Sequence, residues 1–336
     1  MDARKKRILW AIVQAYVSSA EPVSSRTIAR CFDLGVSSAT IRNEMLDLED
    51  EGYLVQPHTS AGRIPSIKGY RFYVDSLMEP AKMSPDEETR LLEMVGASRV
   101  DEVFRNMART VAKLTQTLSV AVRGGERAST FQYAKFLPLD ERRAILLVVT
   151  GEGQVSNQVV PIPEDSSLTE LQFLADRLNG FLHGRDVSSL SEKLILSFQK
   201  EAERDLSRFN GVFAALDSAL SPERKVFTGG TAGLMRQPEF RNVDRMQDIL
   251  QLLEERETLN HMLDAKPEAP ITVKIGSENA EKSLSDLSVV RAEFSVGGKT
   301  VGTMAVLGPT RMEYARIVGL LYFMQRRLES LIRGKE

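Results

Sequence analysis

Ser37-Ser38-Ala39-Thr40-Ile41-Arg42-Asn43 is the stretch whose side chains are best suited to reading hydrogen-bond patterns. Asparagine can pair with adenine and arginine with guanine, and an alanine or threonine methyl can touch the methyl of thymine. Further along stand His58, Arg63, Lys68 and Arg71, and no acidic residue occurs between Tyr53 and Val74. Residues of the first kind read base edges, and residues of the second kind neutralise phosphates. The candidate interface is therefore Ser37, Ser38, Ala39, Thr40, Arg42, Asn43, His58, Arg63, Lys68 and Arg71.

Other chemistry finds little support. Gly298-Lys299-Thr300 is a fragment of a phosphate loop, but the position that needs the first glycine holds Glu293. The surrounding VRAEFSVGGKTVGTMAV alternates like a β-hairpin with its turn at Gly297-Gly298. Gly229-Gly230-Thr231-Ala232-Gly233 could cradle an anion, but a loop entering a helix needs the same glycines for its backbone angles. His58, His183 and His261 lie far apart with no cysteine beside them, so no zinc site is expected. No Ser-His-Asp or Cys-His signature is present, and no catalytic, cofactor or metal residue is assigned. Met83, Met94, Met107 and Leu114 read as a core or dimer face, and the Glu254-Glu255-Arg256-Glu257 run as a solvated helix face.

The elements that would position the interface are three short helices and a hairpin. The first helix runs from about Ala3 to Ser19 and breaks at Ala20-Glu21-Pro22. The second runs from about Ser24 to Phe32, capped by Ser24 or Ser25. The third starts behind Ser37 and ends near Glu51, with Gly52 as its stop. At about 100° per residue, Ile41, Met45 and Leu48 share the core side, while Ala39, Asn43 and Asp50 face away, flanked by Arg42 and Leu46. Strand character at Tyr53–Val55, a polar turn and a return near Arg63-Ile64 complete a winged helix-turn-helix pattern, followed by a helix that Ser66 caps. Residues 1–75 hold 10 basic and 9 acidic side chains, nearly balanced but segregated. The acids crowd the end of the third helix, so that helix should enter a groove with its N-terminus first.

The whole chain of 336 residues has 44 Lys and Arg against 46 Asp and Glu, a net charge of −2. That excludes a globally basic nucleic-acid coat and leaves room for a local patch. One cysteine, Cys31, precludes an intrachain disulfide and fits a reducing, cytoplasmic compartment. No apolar run is long enough to cross a membrane, and the basic start has helical spacing, not the pattern of a signal peptide. Beyond the boundary at Pro80–Pro85, a long helix is expected from Pro85 to Arg123, interrupted at Gly96-Ala97-Ser98. Strands are expected over 130–163, helices over 166–220, strands over 271–275, 289–296 and 300–307, and a last helix over 311–332.

The segment EPVSSRTIARCFDLGVSSATIRNEMLDLEDEGYLVQPHTSAGRIPSIKGYRFYVD resembles the N-terminal signature of the HrcA family of bacterial heat-inducible repressors. The likeness extends to Phe227–Gly230, Gln237–Phe240, Ile275–Asn279 and Val301–Gly302-Thr303 through Gly308–Arg316. It implies an α+β, multidomain protein with a winged helix-turn-helix domain at 1–78. A GAF-like α/β domain would span 85–125 and 226–336, with an inserted α+β dimerisation domain at 126–225. It also implies a homodimer that represses chaperonin and DnaK-type operons from an inverted-repeat operator in double-stranded DNA, known as CIRCE, with activity promoted by the chaperonin GroEL. An alternative of a different class is a repressor whose GAF-like domain senses a small metabolite; an enzyme is not expected.

Overall fold

The computed structural model describes residues 1–58, 61–95, 99–124, 130–151, 155–163, 166–185, 209–220, 225–240, 247, 251, 269–297 and 299–333. His261, the Glu254–Glu257 run, Gly298 and the expected interruption at Gly96–Ser98 lie outside these residues. The chain is mixed α+β and forms two compact units, one from Met1–Arg123 with Lys225–Glu336 and one from Gly124–Arg224.

The first unit opens with α1 (Ala3–Ser19), α2 (Ser25–Cys31) and α3 (Ser38–Asp50). Serine caps start four of its helices: Ser24 accepts from the Thr27 N–H, Ser37 from the Thr40 N–H, Ser66 from the Gly69 N–H and Ser84 from the Glu87 N–H. Each hydroxyl satisfies one of the four donors a helix start leaves unpaired. A short hairpin, β1 (Leu54–Val55) with β2 (Ile64–Pro65), leads to α4 (Ile67–Ser76). Val23 and Arg63 exchange backbone hydrogen bonds of 2.9 Å, which adds the link before α2 as a third line of chain beside the hairpin. Only glycine fits at 62, because a Cβ there would lie 2.5 Å from the Val23 carbonyl oxygen.

Helices α5 (Pro85–Val95) and α6 (Val100–Thr115) follow. The interrupted helical stretch expected from Pro85 to Arg123 stops short: Gln116 adopts a left-handed φ of 52° and Leu118–Arg123 runs as a strand, β3. It joins an antiparallel five-stranded sheet in the order β7 (Lys225–Gly229), β3, β10 (Lys299–Pro309), β9 (Leu287–Val296) and β8 (Ile271–Ile275). One face of the sheet, with Ala121, Ala292, Phe294, Met304 and Val306, packs with α5, α6 and the last helix. The other face, with Leu118, Val120, Leu287, Ala305 and Leu307, packs with Leu234 and Phe240. Burial on both faces explains the near-continuous apolar runs of β3 and β10. Arg123 and Lys225 are paired across β3 and β7, so the chain leaves the sheet and returns to it at adjacent positions. The glycine run ends β7 and enters a short turn of helix: a Cβ on Gly230 would lie 2.1 Å from the Thr117 carbonyl oxygen, so packing accounts for the glycine.

The second unit is an antiparallel sheet of β4 (Phe131–Pro138), β5 (Arg143–Thr150) and β6 (Val155–Pro161). Phe131, Phe136, Ala144, Leu146, Val148 and Val160 face α7 (Leu168–Leu182) and α8 (Asn210–Leu220) in one core. The alternate positions Tyr133, Leu137, Val155 and Val159 are exposed on the opposite face.

Candidate nucleic-acid interface

Helix α3 is seated by Ile41, Met45 and Leu48, all buried as their spacing predicts. That seating turns Ala39, Arg42, Asn43 and Leu46 to solvent. Ser37 and Thr40 are joined hydroxyl to hydroxyl at 3.0 Å, and Ser38 meets Ser25 of α2 at 3.2 Å. All three serine and threonine hydroxyls at the helix start are thus engaged in holding the helix, while Arg42 and Asn43 are exposed. Part of the acidic surface of α3 is paired from α1: Arg4 lies 3.5 Å from Glu44, and Lys5 lies 3.1 Å from Asp47 and 2.7 Å from Glu51. The hydrogen bonds to Glu51 and Asp47 raise the Lys5 pKa above its ordinary value. Of the basic residues at the start of α1, Arg4 and Lys5 are therefore committed to carboxylates within the module.

The remaining candidates divide. His58 is exposed in the hairpin turn, where the Ala61 N–H donates to its carbonyl at 2.9 Å. Lys68 is exposed, with its Nζ donating to the Glu51 carbonyl at 2.8 Å and standing 4.5 Å from the Tyr53 ring centroid. Arg63 is less available than its charge suggests: Nε and Nη2 both bind Glu49, at 2.8 and 2.7 Å, and its side chain is only 14% exposed. Arg71 is engaged elsewhere altogether. Its guanidinium binds Glu278, the Val273 carbonyl and Asp75, away from the group formed by α3. The sequence pattern could not reveal Glu49 or Glu278 as partners, since nothing local marks them.

Two cations went unnoticed in the sequence. Arg26 and Arg30 are exposed on α2, one turn apart and opposite the buried Ile28. The signal was there: an i, i+4 basic pair on the polar side of a helix. Midway along α1, Trp10 stands edge-on to Phe32, ring centroids 5.7 Å apart, in an open depression of about 440 Å³. Among the described residues, no cluster of three or more His, Cys, Asp or Glu could hold a metal ion, and no helix is long and apolar enough to cross a membrane.

The family model for the HrcA protein C-terminal domain matches residues 101–318. A heat-inducible transcription repressor HrcA from Desulforamulus reducens is 41% identical over 344 residues, covering 99% of this chain and 97% of the relative. The chain belongs to the HrcA family. An HrcA from Desulfitobacterium hafniense, also named a heat-inducible transcription repressor, is 39% identical over 339 residues, covering 99% of this chain and 98% of its own. A solved structure described only as a hypothetical protein superposes over the full length of both chains with a TM-score of 0.59 at 23% identity, which supports the fold of this HrcA-family chain. HrcA relatives align from end to end, so the N-terminal helices and hairpin belong to the shared architecture as much as the region of the family model does.

Proposed function

We propose that this HrcA-family chain is a DNA-binding repressor of chaperonin and DnaK-type operons that grips the inverted-repeat CIRCE operator as a homodimer. The observation that carries the reading is the outward face of α3, where Arg42 and Asn43 are exposed and have no carboxylate partner among the described residues, while Arg4 and Lys5 pair with Glu44, Asp47 and Glu51 behind them. In this reading residues 1–78 are a winged helix-turn-helix, and α3 is its recognition helix, entering the major groove N-terminus first. Arg42 and Asn43 read base edges, with Ala39 and Thr40 available to thymine methyls. Lys68, Arg26 and Arg30 supply phosphate contacts, and His58 lies at the tip of the wing. Residues 85–125 and 226–336 form the GAF-like domain.

Two copies are expected, because an inverted repeat mirrors a two-fold axis. The exposed face of β4–β5–β6 in the inserted domain (126–225) supports this. Its cross-strand row of Tyr133, Val149 and Val155 and its row of Leu137, Ile145 and Val159, with Lys135, Leu147 and Asn157 between them, form a largely apolar face that a second copy can cover. Family membership supports GroEL as the modulator and the bacterial cytoplasm as the location. The deciding experiment is operator binding by the purified protein with and without GroEL. Binding to the inverted repeat over scrambled DNA, with the active fraction raised by GroEL and the footprint unchanged, is the expected result. Equal affinity for both DNAs overturns the reading.

A further inference from the structure

The helix-and-hairpin module is fastened to the five-stranded sheet by two reciprocal arginines, both inside the first unit. Arg71, reaching out from α4, donates Nε to Glu278 Oε1 at 2.9 Å and Nη2 to the Val273 carbonyl at 2.6 Å, with a second bond to Glu278. Glu278 is itself held by the Ile275 N–H at 2.8 Å, in the turn that ends β8. Arg311, reaching the other way from the end of β10, pairs with Glu239, donates to Gln237 at 2.7 Å and turns Nη1 to the Val17 carbonyl at 3.4 Å. Val17 lies in the last turn of α1, where carbonyls lack helical partners and favour a cation. Between the two clamps the buried rings of Tyr70 and Tyr314 meet at 6.0 Å. The link after α4 is tied down as well: the Ala81 N–H donates to the Ala315 carbonyl at 2.8 Å.

This docking reaches α3 by a short route. The Ser66 hydroxyl donates to the Gly52 carbonyl at 2.7 Å and Lys68 to that of Glu51, so the end of α3 is tied to the start of α4. Arg71 lies one turn further along α4. A recognition helix held this way cannot swivel on the body without breaking charge-assisted hydrogen bonds, which are about twice as strong as neutral ones.

We propose that Arg71 and Arg311 are positioning residues that fix the recognition helix on the sheet body, and thereby set the half-site spacing an operator must have. The inference rests on the dimeric repressor reading above. Two helices fixed on two bodies related by a two-fold axis present one separation and one rotational phase, and each base pair added between half-sites changes both. Arg71 then acts through Glu278 and not through phosphate.

The test is competition binding to an operator series whose half-site spacing is changed by one to three base pairs. The proteins are wild type, Arg71→Ala, Glu278→Gln, the double variant and Arg311→Ala, with secondary structure and oligomeric state checked for each. Wild type should prefer one spacing. Arg71→Ala and Glu278→Gln should each reduce that preference by roughly fivefold or more, the double variant should be no worse than either, and none should change the salt dependence of binding. If Arg71→Ala fails to fold, Glu278→Gln carries the test, as it keeps shape and removes only charge. A uniform loss across all spacings with a flattened salt slope for Arg71→Ala alone makes Arg71 a phosphate contact and overturns the proposal. So does unchanged spacing preference in the variants, or a wild type that binds every spacing equally. A wild type that binds no inverted repeat overturns instead the repressor reading and, with it, the role of the clamps.

Discussion

Arg63 grips Glu49 through two guanidinium nitrogens, at 2.8 and 2.7 Å, and so straps the return strand of the hairpin to α3. Both side chains are largely shielded, 14% and 27% exposed. Arg63→Ala leaves a carboxylate in a half-buried place without its partner, a cost of about 1–3 kcal/mol. The expected outcome is a lowered melting temperature along with weaker binding to operator and random DNA. An Arg63→Ala protein that melts like wild type but binds with a flatter salt slope shows a direct phosphate contact.

Arg42→Ala and Asn43→Ala should each weaken operator binding by about 1–3 kcal/mol and relax selectivity at one base pair of the half-site. Neither side chain is buried, so both proteins should melt and associate as wild type does. Equilibrium binding against single-substitution operators checks this; two variants with unaltered affinity rule out α3 as the reader.

Arg26→Ala and Lys68→Ala should lower affinity for operator and random DNA alike, and each should reduce the slope of log affinity against log salt by about one. A salt titration on both DNAs measures it. An effect confined to the operator assigns these residues to base reading.

Val155→Asp with Val159→Asp, both more than half exposed, places charge on the open face of β6 without touching the core below. The protein should remain folded and sediment at monomer mass, with operator affinity falling steeply because one half-site is held at a time. Sedimentation equilibrium decides; a dimer of unaltered strength moves the interface to another surface.

Acid should loosen the docking of the module. Burial opposes ionisation of Glu278, but hydrogen bonds from Arg71 and the Ile275 N–H outweigh it and hold the carboxyl below its ordinary value. A lowered carboxyl pKa in the folded state contributes stability above the ordinary titration range, about pH 4.3, and that stability is lost as pH falls through the lowered value. Asp101 acts in the same direction: burial resists its charge, while Lys225 at 2.9 Å and Arg123 favour it more strongly. Melting curves between pH 3 and 7 should show a shallower acid limb for Glu278→Gln than for wild type; parallel limbs remove Glu278 from the account.

The face of α3 was legible because only one arrangement of Ile41, Met45 and Leu48 buries all three on a helix, and the serine caps were legible because capping is local chemistry. β3 was misread as helix for the opposite reason. Leu118 through Val122 are all buried, so the alternation that marks a half-exposed strand is missing, and the left-handed residue that ends α6 is Gln116, not a glycine. The fates of Arg63 and Arg71 were illegible in kind. A basic residue reads the same whether it meets phosphate or carboxylate, and Glu278 stands 207 residues from the arginine it binds.

Because Arg123 and Lys225 are cross-strand partners, the stretch 124–224 is topologically a very long hairpin loop closed by an ordinary antiparallel register. Its ends are already together, so changing its length alters closure entropy only as the logarithm of residue number. Excising it in favour of a two-residue turn would leave each strand of the five-stranded sheet with the neighbours it has now. On the proposed reading, association and operator reading would lie on separable stretches of the chain, free to diversify at different rates.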